Sequence, residues 1–377
     1  MKAPRALLAA PLLLLLVLSA SACVSTENPQ GWAAPVFDGS TVLFLQSHNR
    51  LGAAPVPGDT PSTTLAWSFP DKNSADQKDI SFKAVYGEPV VDGDRIYLTT
   101  YDGGVFALDK ATGKPVWRIK GTDISGNVVG GAGVNGDAVV FGTTDGHLYA
   151  VKKSDGSTAD GWPKGGVDTG SGVWAAPIVK NGTVFVATMG GDVRALNLAD
   201  HAEKWRFRAS GAIANLELLD DGRLFVPSLN KHVYFLDSVS GSQKGDFQAS
   251  DWVWTQPAVK DGVAYFGDFG GDVYALDISG ATPKLLWRYS AGSSRVKSGP
   301  QIVDDVVVIA DRQPAVHFVG AKDGKLLNKV PIEKSGTVRA DLAQKDGLVY
   351  ISTTAGGLFR ADPKTRSVTE ITVGGRQ

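Results

Sequence analysis

One phrase of about forty residues recurs along the chain. It reads PVVDGDRIYLTTYDGGVFALDKATGKPVWRI from Pro89, PIVKNGTVFVATMGGDVRALNLADHAEKWRF from Pro177 and PAVKDGVAYFGDFGGDVYALDISGATPKLLWRY from Pro257. A fourth clear copy runs from Gly133, weaker ones from Leu218, Pro300 and Leu342, and the first from Pro35. Aligned on the first apolar run, the equivalent positions are Pro35, Pro89, Ala132, Pro177, Glu217, Pro257, Pro300 and Leu342, spaced 54, 43, 45, 40, 40, 43 and 42 residues apart. The long first interval holds Gln46 to Thr64, polar and proline-containing, which reads as a loop inserted into the first copy and a candidate contact loop.

Each copy contains four short runs of period-two alternation, such as Ile96-Tyr97-Leu98 and Val105-Phe106-Ala107-Leu108, rich in β-branched and aromatic residues. Asp-Gly, Asn-Gly and Gly-Gly pairs separate them and supply the positive-φ positions of tight hairpins. A helical repeat of this length would show a 3.6-residue period, which is absent. Four antiparallel strands in about forty residues is the unit of a propeller blade. The expected fold is therefore all-β, an eight-bladed propeller of four-stranded antiparallel blades over residues 32–377. The last unit ends in a fourth run of its own, SVTEITV from Ser367, so ring closure need not borrow a strand from the N-terminus.

The first 31 residues stand apart. Lys2 and Arg5 precede an apolar stretch, Ala6 to Ala20, of secretory length and shorter than the roughly 20 residues of a membrane span. It ends in LSASAC, and Cys23 is the single cysteine of the chain. This ending resembles a bacterial lipobox, where the cysteine is acylated and becomes the mature N-terminus. Ala20 stands where lipoboxes usually carry Leu, and Ala20-Ser21-Ala22 also satisfies the small-x-small rule of ordinary secretion. The expected organisation is a signal peptide over 1–22, acylated Cys23 with a short tether over 23–31, and then the propeller. The protein is expected to be exported and lipid-anchored to the cell envelope. No Asp follows the cysteine to block sorting to an outer membrane, since Val24 and Ser25 come next. A formal net charge of −1 offers nothing to a nucleic acid.

The runs GGVFALDKATGKPVWR, GGDVYALDISGATPKLLWR and GGDVRALNLADHAEKWRF resemble the PQQ-type propeller repeat, with a signature near D-G-x-[LV]-Y-A-L-D-x-x-T-G-x-x-x-W. In that family the closing Trp packs between neighbouring blades. By position these residues are Trp67, Trp117, Trp162, Trp205 and Trp287, with Phe247 and Leu327 at comparable points of two degenerate copies. An indole supplies a large apolar area and an N–H that needs an acceptor when buried.

The repeat is shared by enzymes and scaffolds. The large PQQ alcohol dehydrogenases carry an adjacent cysteine pair and a Ca²⁺ site beside a catalytic Asp. Here no cysteine follows Cys23, and no Asp-rich loop has the spacing of a dedicated Ca²⁺ site. His48, His147, His201, His232 and His317 make no metal-ligand spacing. No nucleophile elbow, phosphate loop or carboxylate pair stands out. No cofactor, metal or catalytic residue is expected. A lipid-anchored eight-bladed propeller of this length resembles the BamB family of the outer-membrane β-barrel assembly machinery, which holds its partner through surface loops. That resemblance implies a non-enzymatic scaffold with an envelope protein or peptide as partner. A PQQ-dependent dehydrogenase and an extracytoplasmic ligand-binding or sensor lipoprotein are the alternatives.

One column of the repeat is not explained by folding. Four residues before the aligned position stand Val85, Val128, Val173, Ile213, Val253, Val296 and Val338, a set suited to packing between blades. The next residue turns the other way and reads Trp32, Tyr86, Val129, Trp174, Ala214, Trp254, Lys297 and Arg339. In a propeller these ring one mouth of the central channel, with Trp252 and Arg295 extending the same face. Large side chains could simply plug the channel. Aromatics beside cations also make a recognition surface for a peptide or an anionic or sugar-like ligand.

Overall fold

A computed structural model describes residues 31–375, apart from 281, 293 and 333–335. Cys23 and the whole expected signal segment lie outside the described residues. Eight four-stranded sheets follow one another in chain order, each antiparallel with its strands in sequence order. The second blade is typical: Val90–Asp92, Arg95–Thr99, Val105–Asp109 and Pro115–Ile119. Where the first hairpin has a two-residue loop, its first residue takes positive φ, and at Asn181 (48°) and Gly182 (70°), Asp261 (50°) and Gly262 (75°), and Asp346 (51°) and Gly347 (77°) both residues do. That is the turn a right-twisted hairpin needs, and Asn-Gly and Asp-Gly are the pairs that adopt it at least cost.

A single four-stranded sheet cannot cover both of its own faces, so each blade is buried by its neighbours. The core is accordingly divided into clusters that lie between blades. Ile96 and Leu98 of the second blade pack with Leu43, Leu45 and Trp67 of the first, while Tyr97 between them packs with Phe141 and Tyr149 of the third. Further clusters join each successive pair, and a last one sets Val42, Phe44 and Ala54 of blade 1 against Tyr350 and Leu358 of blade 8. The ring is closed. First strands of neighbouring blades touch one another around the axis, and fourth strands form the rim, where residues such as those of Glu203–Arg208 alternate between exposed and half-buried.

The closing Trp residues share one geometry. The indole N–H donates to a backbone carbonyl of the next blade: Trp67 to Lys110 (3.0 Å), Trp117 to Lys153 (2.8 Å), Trp162 to Leu198 (2.6 Å), Trp205 to Ser238 (3.0 Å) and Trp287 to Ala321 (2.7 Å). The glycine of the Thr-Gly turn is where the preceding blade's indole rests. A Cβ on Gly113, Gly156, Gly241 or Gly324 would lie 2.4–2.8 Å from Trp67, Trp117, Trp205 or Trp287, and each glycine has φ between 66° and 71° or, at Gly156, 74°. In the fourth blade His201 fills this position at φ 51° with its ring against Trp162.

Strand pairing corrects the sequence alignment in three places. Phe247 opposes Val233, as Phe207 opposes Val193, so it stands two residues past the Trp position; Gly245 occupies that position opposite Phe235. In blade 7 it is Asn328, not Leu327, that opposes Phe318, and its amide donates to the Arg366 carbonyl (2.8 Å). Without an indole as marker, only the ladder sets the register. In blade 5, Glu217 opposes Phe225 as Ile178 opposes Phe185, so this copy is one residue short before its first strand.

The stretch read as an inserted loop is mostly framework. Arg50–Pro55 is the third strand of blade 1, paired along its length with Thr41–Gln46. Its sequence, RLGAAP, lacks the bulky alternation of the other third strands. The true excursion follows it, and Ser62–Thr64 pairs in parallel with Thr372–Gly374 at the end of the chain. Ser367–Glu370 is the fourth strand of blade 8, so the ring is sealed by an added parallel pair outside the blades.

Candidate recognition face at the channel mouth

The connection from a fourth strand to the next first strand is held by the hairpin of the blade ahead, and in four cases it is clamped between two hairpins. Gly172 accepts from the Met189 N–H of the blade ahead (2.8 Å), and the Val173 N–H donates to Thr143 of the blade behind (2.9 Å). The same pair of contacts recurs at Ala212 and Ile213, Trp252 and Val253, and Arg295 and Val296. The β-branched anchors Val85, Val128, Val173, Ile213, Val253, Val296 and Val338 are all at most 1% exposed. With the anchor fixed between blades, the following side chain has to point at the axis.

All eight residues of that column, Trp32, Tyr86, Val129, Trp174, Ala214, Trp254, Lys297 and Arg339, line one recess of about 220 Å³. Trp32 and Tyr86 lie 4.1 Å apart between centroids, and Trp174 meets Trp254 edge-on at 6.1 Å. The Lys297 ammonium sits between Trp32 (3.8 Å) and Trp254 (4.7 Å), with Arg339 5.5 Å from the Trp32 ring. Arg295 lines an adjoining recess shared with Trp254, Lys297 and Arg339. Trp252 stays at the outer edge, 48% exposed, and reaches the others only through Phe269.

A second set of mouth residues escaped the sequence reading. Tyr101, Thr144, Met189, Leu229, Phe269, Arg312 and Thr354 occupy one hairpin position, each donating its N–H to a connection. Their types differ too much to stand out. The residue before each is constant in kind: Thr100, Thr143, Thr188, Ser228, Asp268, Asp311 and Thr353 are small, polar and buried. Several hold the hairpin by accepting an N–H four residues on, as Asp268 does from Asp272 (3.0 Å) and Asp311 from Ala315 (3.0 Å). That column was the available signal.

Below the mouth the channel is acidic. Withdrawal from bulk water, reinforced by Asp341 and Glu217, pushes Glu88 up to about 7; withdrawal with Asp341 and Asp220 nearby pushes Glu217 up to about 7. Burial raises Asp341 to about 6, although the Gly299 N–H it accepts and Lys297 pull the other way. Glu88 keeps water contact because it faces the channel. Among the described residues no group of three or more His, Cys, Asp or Glu side chains is placed to hold a metal ion. Burial and the charges of Arg339 and Arg312 lower Lys297 to about 8, with Asp341 opposing them.

These shifts carry a sign. A carboxyl whose folded value is raised is protonated in both states below the unfolded value, and folding loses stability as pH rises towards the folded value. The window runs from the ordinary glutamate value near 4.5 to about 7. Between pH 5 and 7.5 the thermal midpoint of the wild type should fall more than that of the Glu88→Gln, Glu217→Gln double variant; parallel curves would show that the channel carboxyls do not titrate there.

The histidines are dispersed. His317 donates or accepts within a buried chain from Tyr289 (2.8 Å) to Asp311 (3.0 Å), inside the core of blade 7 and away from the mouth recess. His232 pairs with Asp246 and His147 lies 3.4 Å from Asp145.

Comparison with known proteins agrees with this architecture. The computationally designed protein Ika8 matches with a TM-score of 0.66 at 17% identity over 88% of this chain and 96% of its own. The crystal structure of BamB from Moraxella catarrhalis matches with a TM-score of 0.67 at 18% identity over 87% and 93%. BamB of Burkholderia pseudomallei, an outer membrane protein assembly factor, is 32% identical over 145 residues, 34% of this chain and about a third (32%) of that relative. The family described as outer membrane protein assembly factor BamB matches residues 27–118, 77–163, 159–283 and 270–369. Matched in four overlapping stretches that together run the length of the ring, the chain belongs to the BamB family of PQQ-like propellers.

Proposed function

We propose that this protein is a non-enzymatic scaffold of the cell envelope, anchored through an acylated Cys23, which holds a protein partner of an outer-membrane assembly complex at its channel mouth. The observation that carries the reading is the convergence of Trp32, Tyr86, Trp174, Trp254, Lys297 and Arg339 on one recess. Rigid aromatic side chains beside cations are the residues that concentrate binding energy in interfaces. Family membership adds the setting, since the related proteins are outer membrane protein assembly factors. The reading needs no cofactor and no catalytic group.

The test is capture from detergent-solubilised membranes on the immobilised mature protein. Barrel-assembly components are expected in the wild-type eluate. Trp174→Ala with Trp254→Ala should reduce their capture about tenfold or more, as loss of two interface hot spots does, while the thermal midpoint stays nearly unchanged. A large loss of stability with undiminished capture would assign both residues to packing and overturn the reading.

A further inference from the structure

The charge of the mouth is concentrated on one side. Arg295, Lys297, Arg312 and Arg339 meet at the turn from blade 6 to blade 8, around a recess of about 170 Å³ floored by Trp254 and Phe269. Several other arginines of this chain are paired, Arg194 with Glu203, Arg208 with Asp192, Arg223 with Asp221 and Arg288 with Asp272, while Arg50 and Arg360 donate to backbone carbonyls. Among the described residues none of these four cations has an acidic side chain in salt-bridge contact, and Arg339 bonds only the Thr337 hydroxyl (3.2 Å). Like charges so placed repel: Lys297 and Arg339 are both driven below their ordinary values, by burial first and then by their cationic neighbours. Against these four cations the mouth recess sets one ionisable partner that acts on Lys297, Asp341, which leaves the cluster with an excess of positive charge.

We propose that this cluster is a carboxylate-binding site, taking an acidic side chain of an extended peptide segment whose adjacent residues lie on Trp254 and Phe269. The proposal rests on the mouth being the recognition face and adds the chemistry of what it recognises. Guanidinium forks pair with a carboxylate through two parallel hydrogen bonds, and several converging on one recess favour an inserted anion. Trp254 and Phe269 lie nearly parallel at 6.1 Å, 20° apart, and continue outward to the exposed Trp252, which gives the flanking residues an apolar track. Lys297 is held between two indoles, where a side chain on a narrow segment reaches it and a flat bilayer surface does not. Asp341 lies near enough to act on Lys297 and, ionised above about 6, repels an anion that goes deeper. The acidic group is thereby stopped at the mouth.

Two synthetic octapeptides test this on the mature protein: one with two glutamates flanking a leucine, and a twin with glutamines in their place. The glutamate peptide should bind about tenfold tighter, the worth of one charge-assisted contact, with an affinity that falls as salt is raised. Arg312→Gln with Arg339→Gln should bring it to the level of the twin. Arg312 is exposed and Arg339 is relieved of repulsion, so the thermal midpoint should not fall. Equal binding of both peptides that is lost in the Trp174→Ala, Trp254→Ala variant would leave the recognition face standing and overturn its acidic preference. Binding of neither peptide overturns the proposal. So does Arg-dependent binding to phosphatidylglycerol vesicles without binding of the glutamate peptide, which would make the face a membrane contact.

Discussion

Ending the chain at Glu370 should cost about 5 kcal/mol and lower the thermal midpoint by about 7 °C. Ile371 is 3% exposed in the cluster between blades 8 and 1, and burial of such a side chain contributes about 2–3 kcal/mol. The deletion also removes the bonds from Ile371 N–H to Leu358 (2.8 Å), Thr372 N–H to Pro61 (2.9 Å) and Leu65 N–H to Gly374 (3.0 Å), each worth about 1 kcal/mol net. At ~2.1 cal/mol/K per residue, a ring of this size shifts by about 1.4 °C per kcal/mol. The damage should be local to begin with, because among the described residues no other seam is closed by an added strand. Limited proteolysis should therefore cut first in blade 1 or blade 8. A midpoint within about 2 °C of wild type, with unchanged digestion, would show that the parallel pair is dispensable.

The second large effect concerns the wedge between blades 2 and 3. Trp117→Ala should destabilise by about 3–5 kcal/mol, the usual cost of emptying a buried aromatic site, and it leaves the Lys153 carbonyl without its donor. Gly156→Ala should cost about 2–3 kcal/mol for two reasons. A Cβ there lies 2.8 Å from Cε3 of Trp117, and φ is 74°. The two changes should not add. Once the indole is gone the steric part of Gly156→Ala disappears and only the backbone penalty of about 1 kcal/mol remains, so the double variant should be more stable than the sum by about 1–2 kcal/mol. Denaturant titration of the four proteins measures this; strict additivity would mean that Gly156 serves the turn alone and does not seat the indole.

That cycle also shows why the fold was legible. The repeated phrase pairs a Trp on one blade with a glycine on the next, and the four seams that keep both halves, Trp67 with Gly113, Trp117 with Gly156, Trp205 with Gly241 and Trp287 with Gly324, set the period from which eight copies can be counted. The reading failed where a copy keeps the shape without the residues. RLGAAP forms a full third strand with little side chain to announce it, and blades 5 and 7 lack the Trp that would have fixed the alignment. The closing pair of Thr372–Gly374 with Ser62–Thr64 joins the two ends of the chain, a relation that no periodicity encodes.

The mouth was half legible for a related reason. Its inner column follows an aliphatic anchor at constant spacing, so Trp32 to Arg339 could be aligned without knowing what they touch. The hairpin column with Phe269 and Arg312 has no constant side chain of its own, and it is the part that completes the cationic recess. The channel acids were not legible at all. Glu88 and Asp341 occupy positions that hold small or neutral residues in other copies, and Glu217 stands at the strand position of Val90 and Ile178, an equivalence that its short copy hides from the alignment.

The chain enters its ring at the mouth: Trp32 lines the recess, and its N–H is bound to the Val85 carbonyl (2.9 Å). Eight residues, Val24 to Gly31, separate that point from Cys23, and fully stretched they span at most about 29 Å. An acyl anchor at Cys23 would thus hold the recess within that distance of the bilayer. The tether's reach would cap the size of a partner able to stand between the recess and the membrane. A lengthened tether would then open the recess to bulkier proteins without altering a residue that they touch.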